Sequence, residues 1–197
     1  MLRESTEWSQ FYWFNTENAA LPRILLIGDS IVVGHGPVLA KKLAGKATVA
    51  FFATSRIVGD PAFARELGVA LADLHIDLVE FNNGLHGKHD LDFYREHLAQ
   101  AVDQLRMTCR CPIRWRSSTP VTVRDDPAEL DPKTDPIVVA RNAAAREIMA
   151  ERDIPVDDLY TAMLGHPEWR SPDGYHYNDA GKDAQAEFLA AILKNGL

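Results

Sequence analysis

The stretch Leu25-Leu26-Ile27-Gly28-Asp29-Ser30-Ile31 ends an apolar run in a glycine, an acid and a serine. Far along the chain, Ser171-Pro172-Asp173-Gly174-Tyr175-His176-Tyr177-Asn178 sets an acid three residues before a histidine. A serine hydroxyl is a poor nucleophile at neutral pH. An imidazole that removes its proton during attack and returns it to the leaving group makes it competent. In a loop bent by Pro172 and Gly174, the Asp173 carboxylate can lie under Nδ1 of His176, fixing the tautomer and leaving Nε2 free for Ser30. Each half also has a plain structural use: Asp29 or Ser30 as a helix cap, and Asn178 as the N-cap of a helix after a surface turn.

Other chemistries fit less well. The Gly-x-Ser-x-Gly elbow of α/β-hydrolases is absent, because Val32 stands where its second glycine belongs. Gly28 to Gly36 lacks both the Lys-Ser/Thr ending of a P-loop and a Gly-x-Gly-x-x-Gly order, which disfavours a nucleotide-binding module. His86 and His89, followed by Asp90 and Asp92, are too loosely spaced to predict a metal site. Cys109 and Cys111 have no partnering Cys/His pair and read as reduced thiols. The expectation is therefore no metal and no cofactor.

The elements that must position these residues follow from periodicity. Ile24 to Ile27 suits a central strand buried on both faces. Pro37 to Leu43 has helical spacing and stops at Gly45, and Ala47 to Phe52 is a second strand. A loop over Ala53 to Pro61 leads into a helix to about Leu74. The third strand, Asp77 to Phe81, ends in Asn82-Asn83-Gly84-Leu85-His86-Gly87, two amides on the side where Ser30 lies. A helix over Asp90 to Met107, a strand over Pro112 to Ser117, a helix over Ile137 to Arg152 and a strand over Ile154 to Val156 follow. Asp158 to Leu164 and Asp179 to Leu193 complete the helices. The polar stretch Arg124 to Pro136 reads as a solvated loop rather than a lid. Alternating strands and helices indicate an α/β domain with a parallel sheet, and ligands in such sheets bind beyond the carboxyl ends of the strands. Trp8, Phe11, Tyr12, Trp13 and Phe14 crowd the chain before the first strand and are expected to dock it on the domain.

The chain has 197 residues, 46% of them hydrophobic, enough for one substantial core and short for two domains. One domain over 1–197 is expected, with 1–20 as an aromatic extension packed on it. A formal charge of −7 without a dense Lys/Arg stripe argues against a nucleic-acid partner. No apolar run approaches a membrane span, and Met1 to Gln10 has no apolar signal core, which points away from a membrane and toward a cytoplasmic location. Oligomeric state is not legible.

Gly28-Asp29-Ser30, Asn82-Asn83-Gly84-Leu85-His86 and Asp173-Gly174-Tyr175-His176 together resemble the blocks of the SGNH (GDSL-like) hydrolases, in the order and near the ends where that family carries them. The resemblance implies a three-layer flavodoxin-like fold with a five-stranded parallel sheet flanked by helices. It implies Ser30 as acylated nucleophile, His176 as general base then acid, and Asp173 as the group that orients it. It also implies an oxyanion hole made from the Ser30 backbone N–H, Gly59 from the second block, and an asparagine side chain, either Asn82 or Asn83. The third block departs from the family's Gly-x-Asn-Asp. The expected activity is a serine esterase that cleaves a small acyl group, acetyl in first place, from a small-molecule or carbohydrate ester. A binding protein for a carbohydrate or acyl ligand on the same fold, and an acyltransferase, are the alternatives.

Overall fold

The computed structural model describes residues 3–72, 74–87 and 89–194. Its elements are β1 (Ser9–Trp13), β2 (Arg23–Gly28), α1 (Ser30–Lys42), β3 (Thr48–Thr54), α2 (Pro61–Ala72), β4 (Leu78–Phe81), α3 (Leu91–Thr108), β5 (Ile113–Arg116), β6 (Thr122–Val123), β7 (Asp126–Leu130), α4 (Asp135–Ala150), β8 (Val156–Asp157), α5 (Leu159–Met163), a 3-10 turn at Pro167–Trp169 and α6 (Asp179–Leu193).

The main sheet has the order β1-β3-β2-β4-β5-β8. The five strands from β3 to β8 are mutually parallel, as the sequence led one to expect. The sixth corrects the strand count: β1, part of the aromatic segment, pairs antiparallel with β3, Ser9 opposite Thr54 and Trp13 opposite Ala50. Its aromatics meet those of β3, Phe11 stacking on Phe52 and Tyr12 on Phe51 at 4.9 Å each.

Successive residues of a strand face opposite sides, so each central strand feeds two cores. Ile24, Leu26, Val49 and Phe51 pack against α1 and α6. Leu25, Ile27, Ala50 and Phe52 pack against α2, α3 and α4 on the other face. The result is three layers, helices on both faces of a twisted sheet. The chain leaves β2 for β3 on one side and then crosses to β4 on the other, so the ends of β2 and β4 form the switch point where doubly wound sheets leave a crevice.

Three local readings change. Helix α1 starts at Ser30, and Pro37 lies inside it. Arg124 to Pro136 is not an irregular loop: β6 and β7 form an antiparallel hairpin turned through Asp125, at φ 64°, and α4 begins at Asp135. Cys109 and Cys111 are joined in a disulfide rather than reduced. Cys109 leaves α3 in extended conformation, φ −97° and ψ 119°, and side chains two residues apart on an extended segment point the same way. No helix among the described residues is long and apolar enough to cross a membrane.

Candidate active site

Ser30 sits at the joint between β2 and α1. Asp29 is the N-cap, its carboxylate accepting the N–H of Ile31 at 2.9 Å, so the capping role and the placement of Ser30 coexist. Gly28 has to be glycine because a Cβ there would stand 2.5 Å from Val32 Cγ2 and 2.8 Å from Arg116 Nη2. The first N–H groups of a helix have no carbonyl partner within it, and the Ser30 N–H is the first of α1.

The loop between the 3-10 turn and α6 carries the other two groups. Asp173 Oδ1 accepts the backbone N–H groups of Tyr175 at 2.9 Å and His176 at 2.8 Å. Its Oδ2 lies 2.6 Å from His176 Nδ1, and His176 Nε2 lies 2.8 Å from Ser30 Oγ. Residues 146 apart in sequence are thus joined in one hydrogen-bonded chain, Asp173 to His176 to Ser30. A carboxylate opposite Nδ1 requires the proton on Nδ1, and Nε2 is then the acceptor for the serine hydroxyl. Burial raises the Asp173 pKa, but the backbone N–H of His176, its ring and the N–H of Tyr175 outweigh this and hold the carboxyl down at about 2. Asn178 caps α6 by accepting the N–H of Gly181, the structural role weighed for it.

Beneath the nucleophile lies a buried polar row. Arg116 Nη1 donates to Glu80 Oε2 at 2.7 Å and to His35 Nε2 at 3.2 Å, and His35 Nδ1 lies 3.1 Å from Gln185 Oε1. With Arg116 as donor, His35 is a neutral imidazole protonated on Nδ1; burial first, and then the Arg116 charge, pushes its pKa well down. Burial pushes the Glu80 carboxyl up to about 7 against the opposing pull of Arg116.

The third-block amides are held by hydrogen bonds of their own. Asn82 Nδ2 donates to the Arg116 carbonyl at 2.7 Å and to Ser118 Oγ at 3.1 Å. Asn83 accepts from the Val58 N–H at 3.0 Å and donates to the Arg56 carbonyl at 2.8 Å, so it ties the second-block loop to the end of β4. Gly59 turns that loop at φ 91° and packs on His97 and Phe93 of α3.

A cavity of about 610 Å³ opens beside Ser30 and His176, walled by Leu85, Ile137, Val138 and Tyr175. The segment Gly84 to Gly87 forms one side. Arg141, buried on α4, holds it by donating to the carbonyls of Gly84, His86, Gly87 and His89 at 2.8–3.3 Å. Glu4 reaches the same segment, its carboxylate 3.1 Å from His86 Nδ1 and 3.3 Å from the Gly87 N. Neither Arg141 nor Glu4 stands out in the sequence as a site residue. The available signal for Arg141 is a charged residue on the α4 face that also carries Val138, Ala145 and Ile148. Of the loosely spaced candidates for metal binding, His86 and His89 line this cavity, while Asp90 caps α3. Among the described residues, no group of three or more His, Cys, Asp or Glu side chains is arranged to hold a metal ion.

Comparison with solved structures assigns the fold. An aryl esterase from M. smegmatis superposes with a TM-score of 0.72 at 17% identity, over 89% of this chain and 100% of that one. A GDSL-like lipase from Bacteroides thetaiotaomicron gives 0.67 at 20% identity, over 92% and 96%. The acetyl xylan esterase AlAXEase gives 0.68 at 15% identity, over 87% and 99%. No protein-family model matches the chain, and no curated protein matches it in sequence. The fold is that of the SGNH (GDSL-like) hydrolases.

Proposed function

We propose that this protein is a serine esterase that hydrolyses a small carboxylic ester through an acyl-enzyme, with Ser30 as nucleophile, His176 as general base then acid, and Asp173 as the orienting carboxylate. The observation that carries this reading is the continuous hydrogen-bonded chain from Asp173 through His176 to Ser30 Oγ, at 2.6 Å and 2.8 Å, facing a cavity. Structures named as an acetyl xylan esterase and an aryl esterase share the fold, which supports ester chemistry at this crevice.

In this reading Ser30 Oγ attacks the ester carbonyl as His176 Nε2 takes its proton. The Asp173 carboxylate stabilises the imidazolium that forms. Collapse of the tetrahedral adduct expels the alcohol, which carries away the proton from Nε2, and leaves Ser30 acylated. A water then attacks with His176 again as base, releasing the acid and restoring the serine. Proton transfer of this kind contributes about 10²- to 10⁴-fold in rate. The Ser30 N–H serves the developing oxyanion. Gly59, Asn82 and Asn83 stay the candidates for the remaining donors; to serve, the Asn82 amide has to give up one of its bonds to Arg116 and Ser118, whereas the Asn83 amide, with one N–H on the Arg56 carbonyl, carries a second N–H to offer. The acyl group is a small one, acetyl in first place, and the alcohol a small molecule or a sugar hydroxyl.

The test is hydrolysis of p-nitrophenyl acetate and butyrate by the wild type and Ser30→Ala, both confirmed folded, together with labelling by a fluorophosphonate. Turnover and labelling that vanish in the alanine variant establish Ser30 as nucleophile. Equal rates in the two proteins sink the reading and favour a binding role for the cavity.

A further inference from the structure

The β6–β7 hairpin and Arg170 have no role in the chemistry described so far, yet their contacts converge on the loop that carries Asp173 and His176. Arg170 is almost fully buried. Its Nη2 donates to the carbonyls of Gly174 and Pro120 at 2.7 Å each and lies 3.4 Å from Thr122 Oγ1. None of these partners is a carboxylate. Its guanidinium also lies over the Tyr177 ring, 4.3 Å from the centroid. A buried cation facing backbone carbonyls and a ring gives up water without an ion pair in return, an expensive arrangement for stability alone.

The hairpin holds the same loop from the other side. The Thr122 N–H donates to the Gly174 carbonyl at 2.9 Å, and the Asp125 N–H to the Pro172 carbonyl at 2.7 Å. Arg170 and Tyr177 form an antiparallel bridge that closes the base of the loop, reinforced by the Ser171 N–H donating to the His176 carbonyl at 2.9 Å. Asp173 and His176 lie between these anchor points. Both side chains are partly exposed, so burial of their own does not fix them.

We propose that Arg170 is a positioning residue, which clamps the Asp173–His176 loop onto the β6–β7 hairpin and so sets the reach of His176 Nε2 to Ser30 Oγ. The hairpin is thereby the rigid backing of the acid–base pair. This inference rests on the esterase reading for its rate measurements. Its spectroscopic measurement stands apart from that reading.

The experiment compares the wild type, Arg170→Met and Arg170→Lys. It measures kcat and KM on p-nitrophenyl acetate, the rate of fluorophosphonate labelling, and the far-downfield proton resonance of the His176 Nδ1–H opposite Asp173. All are measured well below the melting temperature of each variant. Misplacement of a catalytic group by about 1 Å lowers rate about 10²-fold, so Arg170→Met is expected to lose about 10- to 100-fold in kcat and labelling, with KM changed by less than about three-fold. The downfield resonance shifts or broadens. Arg170→Lys, with one ammonium able to reach the Gly174 carbonyl, recovers part of the rate and the resonance. A folded Arg170→Met with wild-type kcat and an unmoved resonance overturns the proposal. Should Arg170→Met fail to fold, the same readings on Arg170→Lys decide it: lowered kcat and a moved resonance support it, wild-type values of both overturn it. If the wild type itself shows no Ser30-dependent turnover, the esterase reading has failed and the resonance alone judges the clamp.

Discussion

Replacing Asp173 by Asn separates the chemistry of its loop from its folding. Oδ1 of Asp173 accepts two backbone N–H groups, from Tyr175 and His176, and the asparagine carbonyl keeps both. Oδ2 faces His176 Nδ1 at 2.6 Å, and there the variant presents an NH2, donor against donor. The imidazole escapes this clash by moving its proton to Nε2. Nε2 then donates to Ser30 Oγ and cannot accept its proton. The native carboxyl, held at about 2, is ionised across the whole assay range, so the wild type keeps this advantage at every pH of the assay. In the serine-protease template the equivalent exchange lowers kcat about 10⁴-fold, which is about 5.4 kcal/mol of transition-state stabilisation. Because the Oδ1 bonds survive, the melting temperature is expected to fall by no more than about 4 °C, as for a change of about 1 kcal/mol in a chain of this size. Initial rates of p-nitrophenyl acetate hydrolysis and a thermal melt, on the same preparations, check both halves. An Asp173→Asn variant of native melting temperature that keeps more than about a tenth of wild-type kcat refutes the assignment of Asp173, since tautomer control is worth orders of magnitude.

Other expectations are simpler to state. Gly174→Ala places a Cβ against the Thr122 carbonyl oxygen at a backbone φ of 84°, so it costs about 1–2 kcal/mol for the left-handed conformation, plus the displacement of the loop; chemical denaturation and kcat are both expected to drop. Asn82→Ala leaves the Arg116 carbonyl and Ser118 Oγ without their donor in a buried place and is expected to destabilise by about 1–3 kcal/mol, read from urea midpoints. Glu80, whose carboxyl is raised from the ordinary 4.5 to about 7, binds a proton in the folded state that the unfolded chain releases earlier. Its contribution to stability is therefore full below pH 4.5 and lost as pH rises through about 7; Glu80→Gln is expected to flatten that decline in a pH series of melts. The Cys109–Cys111 bridge closes a very short loop, so Ser at both positions is expected to cost at most about 2 kcal/mol, a few degrees of melting temperature.

Periodicity and local chemistry determined much of this protein. The apolar run before Gly28, the alternation of strands and helices, and the three-residue spacing of Asp173 and His176 follow from side-chain period and turn geometry, which are properties of neighbouring residues. Ser30 at the end of β2 was legible for that reason, as was the parallel sheet. The aromatic segment was legible as a docking element, but its pairing with β3 as an antiparallel edge was not, because strand pairing depends on which edge lies open in the folded sheet. The β6–β7 hairpin was missed because its charged, proline-containing segment has no alternating apolar face; its pairing depends on the Gly174 loop lying alongside. The tertiary structure alone decided that Ser30 and His176, 146 positions apart, stand 2.8 Å from one another. It decided too that the Asn82 and Asn83 amides face backbone carbonyls. Arg141 and Arg170 fold inward against carbonyl oxygens, where sequence alone places arginines in solvent, because whether a cation is buried depends on acceptors brought together from distant segments, and no local pattern encodes that meeting.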